Sequence, residues 1–362
     1  MTKAATTRLP KQVRDRDVVH DIDGRVFVTL GYIQPQGRII CFLKYIPDRD
    51  GDWHSGSTSY RRVFWGQVSS VVEGMSLVPS MYLVDDPHFH TELLELPRQN
   101  VGRYFSPELR LREIIHEGPV DELEAGAMRL AEIIHDTLGI SFDSLGVTGS
   151  ISWKAHDPKR SDINMNVYGF REAWRLQEGY DEIAEQNRCV RVGDFRGKRS
   201  GDFTSSSKMP TSVSNAFETL SSRRREFYLG GRGVGVMPVL QPAQAPIRYG
   251  EEHYKPLVEN PVTISMEIED SKYGIFMPAI YEGTSEPTNA TLGNIVTRIM
   301  IYDGVFRGLL RPGDEVDVTG KLQRVEPTSG KRGRDKRAFY QIMVGTKDGY
   351  GKEFISTTRL GV

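Results

Sequence analysis

The sequence predicts an α+β protein in three consecutive parts. Residues 17–105 are rich in short β-branched and aromatic runs broken by turn residues, the pattern of a β-rich domain. Residues 106–245 mix helical periodicity with alternating strand patterns. Residues 246–362 carry six short strand candidates separated by turns, as in a small β-barrel. The length, 362 residues, also exceeds that of one ordinary domain.

In the first part, Val26-Phe27-Val28-Thr29-Leu30 reads as a strand and Pro35-Gln36-Gly37 as a turn. Arg38 to Ile46 is a second strand, and Tyr60-Arg61-Arg62-Val63-Phe64-Trp65 a third. The second part opens on Ser106-Pro107-Glu108, a cap followed by proline in the first turn. Asp121 to Leu138 has the strongest helical spacing, through Leu123, Leu130, Ile133, Ile134 and Leu138, and Gly139 closes it. Asp162 to Tyr168 alternates like a strand, and Phe170 to Gln186 reads as one helix. Gly193 to Ser214 reads as a long loop, and Gly230 to Val239 as a glycine-rich turn and strand. In the third part, 262–268, 274–281, 295–302, 315–322, 339–344 and 353–357 are the strand candidates. The Arg311-to-Leu322 segment is of a kind common in oligonucleotide-binding (OB-like) barrels.

Composition narrows the function classes. Lys+Arg and Asp+Glu number 47 and 48, so net charge cannot steer the chain to nucleic acid or membrane, and any basic surface is local. A hydrophobic share of 38% is enough to build cores. Cys41 and Cys189 form neither a disulfide framework nor a zinc site and fit a reducing, cytoplasmic setting. No run approaches the roughly 18 apolar residues of a membrane span, so no membrane partner is expected. The sequence is silent on oligomeric state.

One motif carries chemistry. Gly149-Ser150 is followed, after eleven residues, by Asp162-Ile163-Asn164. Glycine lets a backbone approach a triphosphate, and a serine hydroxyl can donate to a phosphate oxygen. Residues i and i+2 of a strand share a face, so Asp162 and residue 164 address one site. This segment resembles the signature of the DNA polymerase β-like nucleotidyltransferase superfamily. The run from Gly149 to Asn164, with Val167-Tyr168-Gly169, is similar to a prokaryotic, largely archaeal set of predicted nucleotidyltransferases. Tyr60-Arg61-Arg62-Val63-Phe64 and Phe276 to Tyr281 resemble the flanks of that set.

The resemblance implies a nucleotidyltransferase core between the two β-rich parts. It implies Gly149 and Ser150 as nucleotide-binding residues, and the motif acids as catalytic and metal-binding residues. Mg²⁺ or Mn²⁺ would be the cofactor, and a nucleoside triphosphate would supply a nucleotidyl group to a hydroxyl acceptor. Asp162 matches the first acid. At the second acid stands Asn164, which removes one negative charge from the cage. The strand expected to supply a third acid, Val234 to Leu240, contains none. A natural pseudoenzyme that binds nucleotide or nucleic acid, and a substitution introduced at 164, both account for the asparagine. A partner-binding scaffold is a third reading.

Two basic clusters are candidates for binding DNA or RNA: Arg223, Arg224 and Arg225, and the run Lys331, Arg332, Arg334, Lys336 and Arg337. Solvated charge is the plain alternative for each. Gly230 to Gly235 lacks the following helix of a dinucleotide fold, since Pro238 comes too early. His88 and His90 read as surface loop histidines. Ser150 has no His/Asp partners for nucleophilic work.

Overall fold

The computed structural model describes residues 8–66, 68–194, 219–328 and 337–360. Its architecture is α+β, with strand predominating in three sheets. The first is antiparallel. Its strands are β1 (Val18–Asp21), β2 (Val26–Thr29), β3 (Arg38–Pro47), β4 (Trp53–Ser55), β5 (Thr58–Arg62), β6 (Leu83–Asp86), β7 (Thr91–Pro97) and β8 (Val101–Phe105). Helix α1 (Val68–Met75) lies between β5 and β6. Strand β3 is the hub, pairing β2, β5 and β7.

This sheet is buried on both faces, which explains why β2 is apolar without alternation. Phe27, Cys41 and Leu43 pack on one side with Met75 of α1. Val26, Val28, Phe42 and Tyr45 pack on the other with Trp153, which comes from the middle of the chain. The expected third strand stops early. β5 ends at Arg62, and Val63 to Trp65 lead out of the sheet toward α1.

The middle part holds α2 (Pro107–Glu117), α3 (Glu122–Leu138), β9 (Leu145–Val147), β10 (Ile163–Tyr168), α4 (Phe170–Glu178) and α5 (Tyr180–Gln186). Strands β11 (Val190–Asp194), β12 (Arg225–Leu229) and β13 (Arg232–Val239) follow. The strand order is β11-β12-β13-β10-β9, with only the β10–β13 pair parallel among these. Helix α3 forms as its sequence requires. Asp121 accepts from Leu123 N and Glu124 N at 2.9 and 3.0 Å, and Gly139 ends it with φ 68°. The single helix expected over 170–186 is two, broken at Gly179. A Cβ there would stand 2.5 Å from Leu138 Cδ2, so glycine lets this corner sit against α3. The loop expected over 193–214 falls, beyond β11, outside the described residues.

The last sheet contains β14 (Glu252–Pro256), β15 (Val262–Tyr273), β16 (Ala279–Ser285), β17 (Val296–Ile301), β18 (Glu315–Pro327), β19 (Phe339–Val344) and β20 (Phe354–Arg359). The sheet curls. β15 pairs β16, β16 pairs β17, β17 pairs β19 in parallel, β19 pairs β18, and β18 returns to β15. The thirteen-residue β18 serves two neighbours by pairing β15 through Glu315–Gly320 and β19 through Lys321–Val325. The strand expected at 274–281 begins later, at Ala279. Gly274 packs against the Tyr281 ring, and 274–278 turns between β15 and β16.

The parts share a core. Ile33, Ile40 and Phe89 of the first pack with Ile247, Tyr254, Ile280 and Met300 of the last. His88, expected at the surface, is buried here. Its ring lies 4.5 Å from that of Tyr254 and 4.7 Å from that of Phe89. His90 is exposed. No helix among the described residues is long and apolar enough to cross a membrane.

Candidate functional site

The site lies at the end of the parallel β10–β13 pair. β9 leads into Gly149-Ser150, where Gly149 has φ 67°, a left-handed turn that glycine adopts without strain. Thr148 N donates to Asn164 O at 2.9 Å, which fixes the turn beside β10. Thr148 Oγ1 donates to Arg16 O at 3.0 Å and ties the turn to the segment leading into β1.

The turn after Gly149 is a packed unit. Ser152 N and Oγ both donate to Gly149 O, and Ala155 N donates to Ser150 O. Ile151, Trp153 and Ala155 are buried. Ser150 is also buried, and its Oγ donates to Ser161 Oγ at 3.5 Å. The serine that sequence reasoning places on a phosphate is therefore turned toward its own loop.

Asp162 and Asn164 line one cavity of about 280 Å³. Gly149 and Ser150 do not line it. The cavity is otherwise bounded by Arg223, Arg224, Arg225, Tyr180, Arg307 and the β13 stretch from Gly233 to Pro238. Sequence-distant predictions thus meet: Asp162 just ahead of β10, Asn164 on β10 and the arginine cluster line the same space.

Asn164 sits in a slot. Its register partner across β13 is Gly235. A Cβ at 235 would stand 2.8 Å from Asn164 Oδ1, and one at 149 would stand 3.2 Å from Nδ2. Asn164 Nδ2 also donates to Asp162 O at 3.4 Å. The strand beside the motif therefore offers no third acid and no room for one opposite Asn164.

The implied Mg²⁺ does not fit this donor set. Among the described residues Asp162 is the one carboxylate lining the cavity, Asn164 offers a neutral oxygen, and four arginines line the same space. Among the described residues no group of three or more His, Cys, Asp or Glu is placed to hold a metal. Mg²⁺ binds through carboxylates and phosphates, and a cationic wall repels it.

The arginines are not equivalent. Arg223 is bidentate to buried Asp314, at 2.5 and 3.0 Å, and donates to Leu309 O. It pins the segment before β12 to the turn that leads into β18. Arg225 pairs with Asp181 at 2.8 Å near the surface. Arg224 Nη1 reaches Gly304 O at 3.4 Å. Arg307 was missed from the sequence. Its Nη1 is buried with no hydrogen-bond partner among the described residues. Burial, reinforced by Arg16 and Arg224, pushes its pKa down to about 10, partly offset by Asp15. A signal existed: Arg307 interrupts Val305-Phe306 and Leu309-Leu310, all buried, and a charge inside a buried run needs a reason.

Of the second basic cluster, Lys331, Arg332, Arg334 and Lys336 lie outside the described residues. Arg337 lies just ahead of β19. No family model, curated protein or solved structure matches the chain.

Proposed function

We propose that the chain binds the phosphates of a nucleoside triphosphate in the arginine-walled cavity, on a nucleotidyltransferase-like core that does not perform metal-dependent transfer. The observation that carries this reading is the wall itself. Arg224 and Arg307 line the same cavity as Asp162 and Asn164, a space that a metal-dependent transferase would line with acids. Half-buried guanidinium groups recognise phosphate oxygens strongly, because fewer competing waters remain. The element order, α3, β9, Gly149-Ser150, β10, α4, supports the resemblance to the superfamily.

The test is a thermal-shift series with the four nucleoside triphosphates, each in Mg²⁺, in Mn²⁺ and in EDTA. A ligand that binds the folded state raises the melting temperature. The reading expects a shift that survives EDTA and no released pyrophosphate. A shift seen only with metal, together with label transferred to an acceptor, would sink it. It also expects that Asn164→Asp does not create transfer.

A second reading has one observation in its favour. The pairing circuit β15-β16-β17-β19-β18-β15, with β17 and β19 parallel, is like that of an oligonucleotide-binding barrel. The basic run 331–337 connects two of those strands. Anisotropy of a labelled oligonucleotide across a salt series separates the two readings. A steep loss of binding with salt favours the strand ligand.

A further inference from the structure

Beside the arginine-walled cavity lies a second one, of about 290 Å³, between β3, α1 and the barrel. The two share Arg224, Met237 and Arg307 as a common wall. The second has a different character. Its body is aliphatic and aromatic: Phe42, Phe64, Val71, Val72, Met75 and Met277 line it. Its charge is concentrated in a few side chains. Lys347 pairs with Glu92 at 2.6 Å, both about one-third exposed or more. Beyond that pair, among the described residues, Arg16, Arg224, Arg307 and Lys321 line it with one acid, Asp303, and Arg16 lies 3.4 Å from Asp15 just outside the lining.

Two features show that the cationic end is built. Arg307 Nη1 is buried without a hydrogen-bond partner among the described residues. An unpartnered buried donor is costly unless something occupies its position. Arg16 holds φ 67°, a left-handed backbone that a non-glycine residue adopts only at a cost. It is kept there by Arg16 N donating to Thr29 O at 3.0 Å and by Thr148 Oγ1 donating to its carbonyl at 3.0 Å. Strain fixed from two sides marks a position the fold has reason to hold.

We propose that this second cavity binds a single-chain aliphatic anion, with its phosphate or carboxylate head on Arg307 and Arg224 and its chain along Phe42, Val72 and Met75. Among the described residues, Cys41, Thr91, Tyr302, Gln323 and Thr346 are the neutral polar side chains of a lining that is otherwise apolar or charged, which favours a chain over a base. A flexible methylene chain asks only for apolar contact and suits such a lining. The site does not depend on the nucleotide reading, though the two ligands would compete for Arg307.

The experiment is calorimetric titration of the full chain with ethyl, butyl, hexyl and octyl phosphate, then with octanoate and octanol. The expected affinity rises roughly fourfold per added methylene, the fold-change for about 0.8 kcal/mol, until the cavity is filled. Octanol should bind at least tenfold more weakly than octyl phosphate. Octanoate compared with octyl phosphate identifies the head, and either one binding with chain-length dependence supports the site. Val72→Trp should remove the chain-length dependence and leave ethyl phosphate bound. Arg307→Met should weaken octyl phosphate at least tenfold. The proposal is overturned if affinity does not depend on chain length, or if octanol equals octyl phosphate. Both outcomes are read on the unaltered protein, so neither depends on a variant folding. Nucleoside triphosphate binding that persists while the alkyl series fails would overturn this site and leave the nucleotide reading standing.

Discussion

Asn164 and Gly235 face each other across the parallel β10–β13 pair, close enough that a Cβ on residue 235 would stand 2.8 Å from Asn164 Oδ1. The glycine and the asparagine are one unit. The amide fills the space that a side chain on β13 would need.

That coupling is measurable. Gly235→Ala should destabilise by about 1–3 kcal/mol through overpacking. Asn164→Ala should relieve part of that cost, with an interaction of at least about 0.5 kcal/mol in the double-mutant cycle. Urea unfolding of the four proteins checks it. Additive effects would mean that the slot is not tight.

Arg223 and Arg224 are neighbours with different work. Arg223→Ala removes the guanidinium partner of buried Asp314 and should cost about 3 kcal/mol. Arg224→Ala should cost under about 1 kcal/mol of stability but weaken triphosphate binding at least tenfold, because it loses a charge-assisted contact. Denaturation and titration of both variants separate the roles. The assignment fails if Arg223→Ala is the benign one.

Ser150 offers a direct contrast with the superfamily pattern. Its hydroxyl is turned to Ser161 and does not line the cavity. Ser150→Ala should change triphosphate affinity by less than about twofold, within the small net worth of a neutral hydrogen bond. A tenfold loss would place Ser150 on the phosphate after all.

Glu95 gives the fold a pH signature. Burial, helped by the neighbouring Asp86 carboxyl, pushes its pKa from 4.5 up to about 8. The folded state therefore holds a proton that the unfolded state releases between about pH 4.5 and 8. Stability from this group is full below pH 4.5 and falls as pH rises through that window. His88, pushed down to about 4 by burial, acts oppositely between pH 4 and 6.5. The diagnostic is thus a difference: Glu95→Gln should gain in melting temperature relative to the parent between pH 6.5 and 8. A constant offset across that range would contradict the raised pKa.

Much of the framework was readable because local chemistry determined it. Asp121 and Gly139 bracket α3 as caps, and Ser106 with Pro107 opens α2. The break at Gly179 was not readable, since it depends on Leu138 arriving from another helix. Nor was the burial of His88, which needs Tyr254 from 166 residues later in the chain. Asp162 and Asn164 could be placed on one strand face by period alone. The arginines that share their cavity could not, because only the tertiary fold brings β12 and the segment before β18 to that strand end.

The most direct measurement is the affinity for one nucleoside triphosphate, titrated in Mg²⁺ and again in EDTA. A cationic wall without a carboxylate cage should bind the metal-free triphosphate at least as tightly as its Mg²⁺ complex, since bound Mg²⁺ cancels charge the arginines would otherwise meet. Binding that disappears in EDTA would contradict the central claim and return the cavity to metal-dependent chemistry.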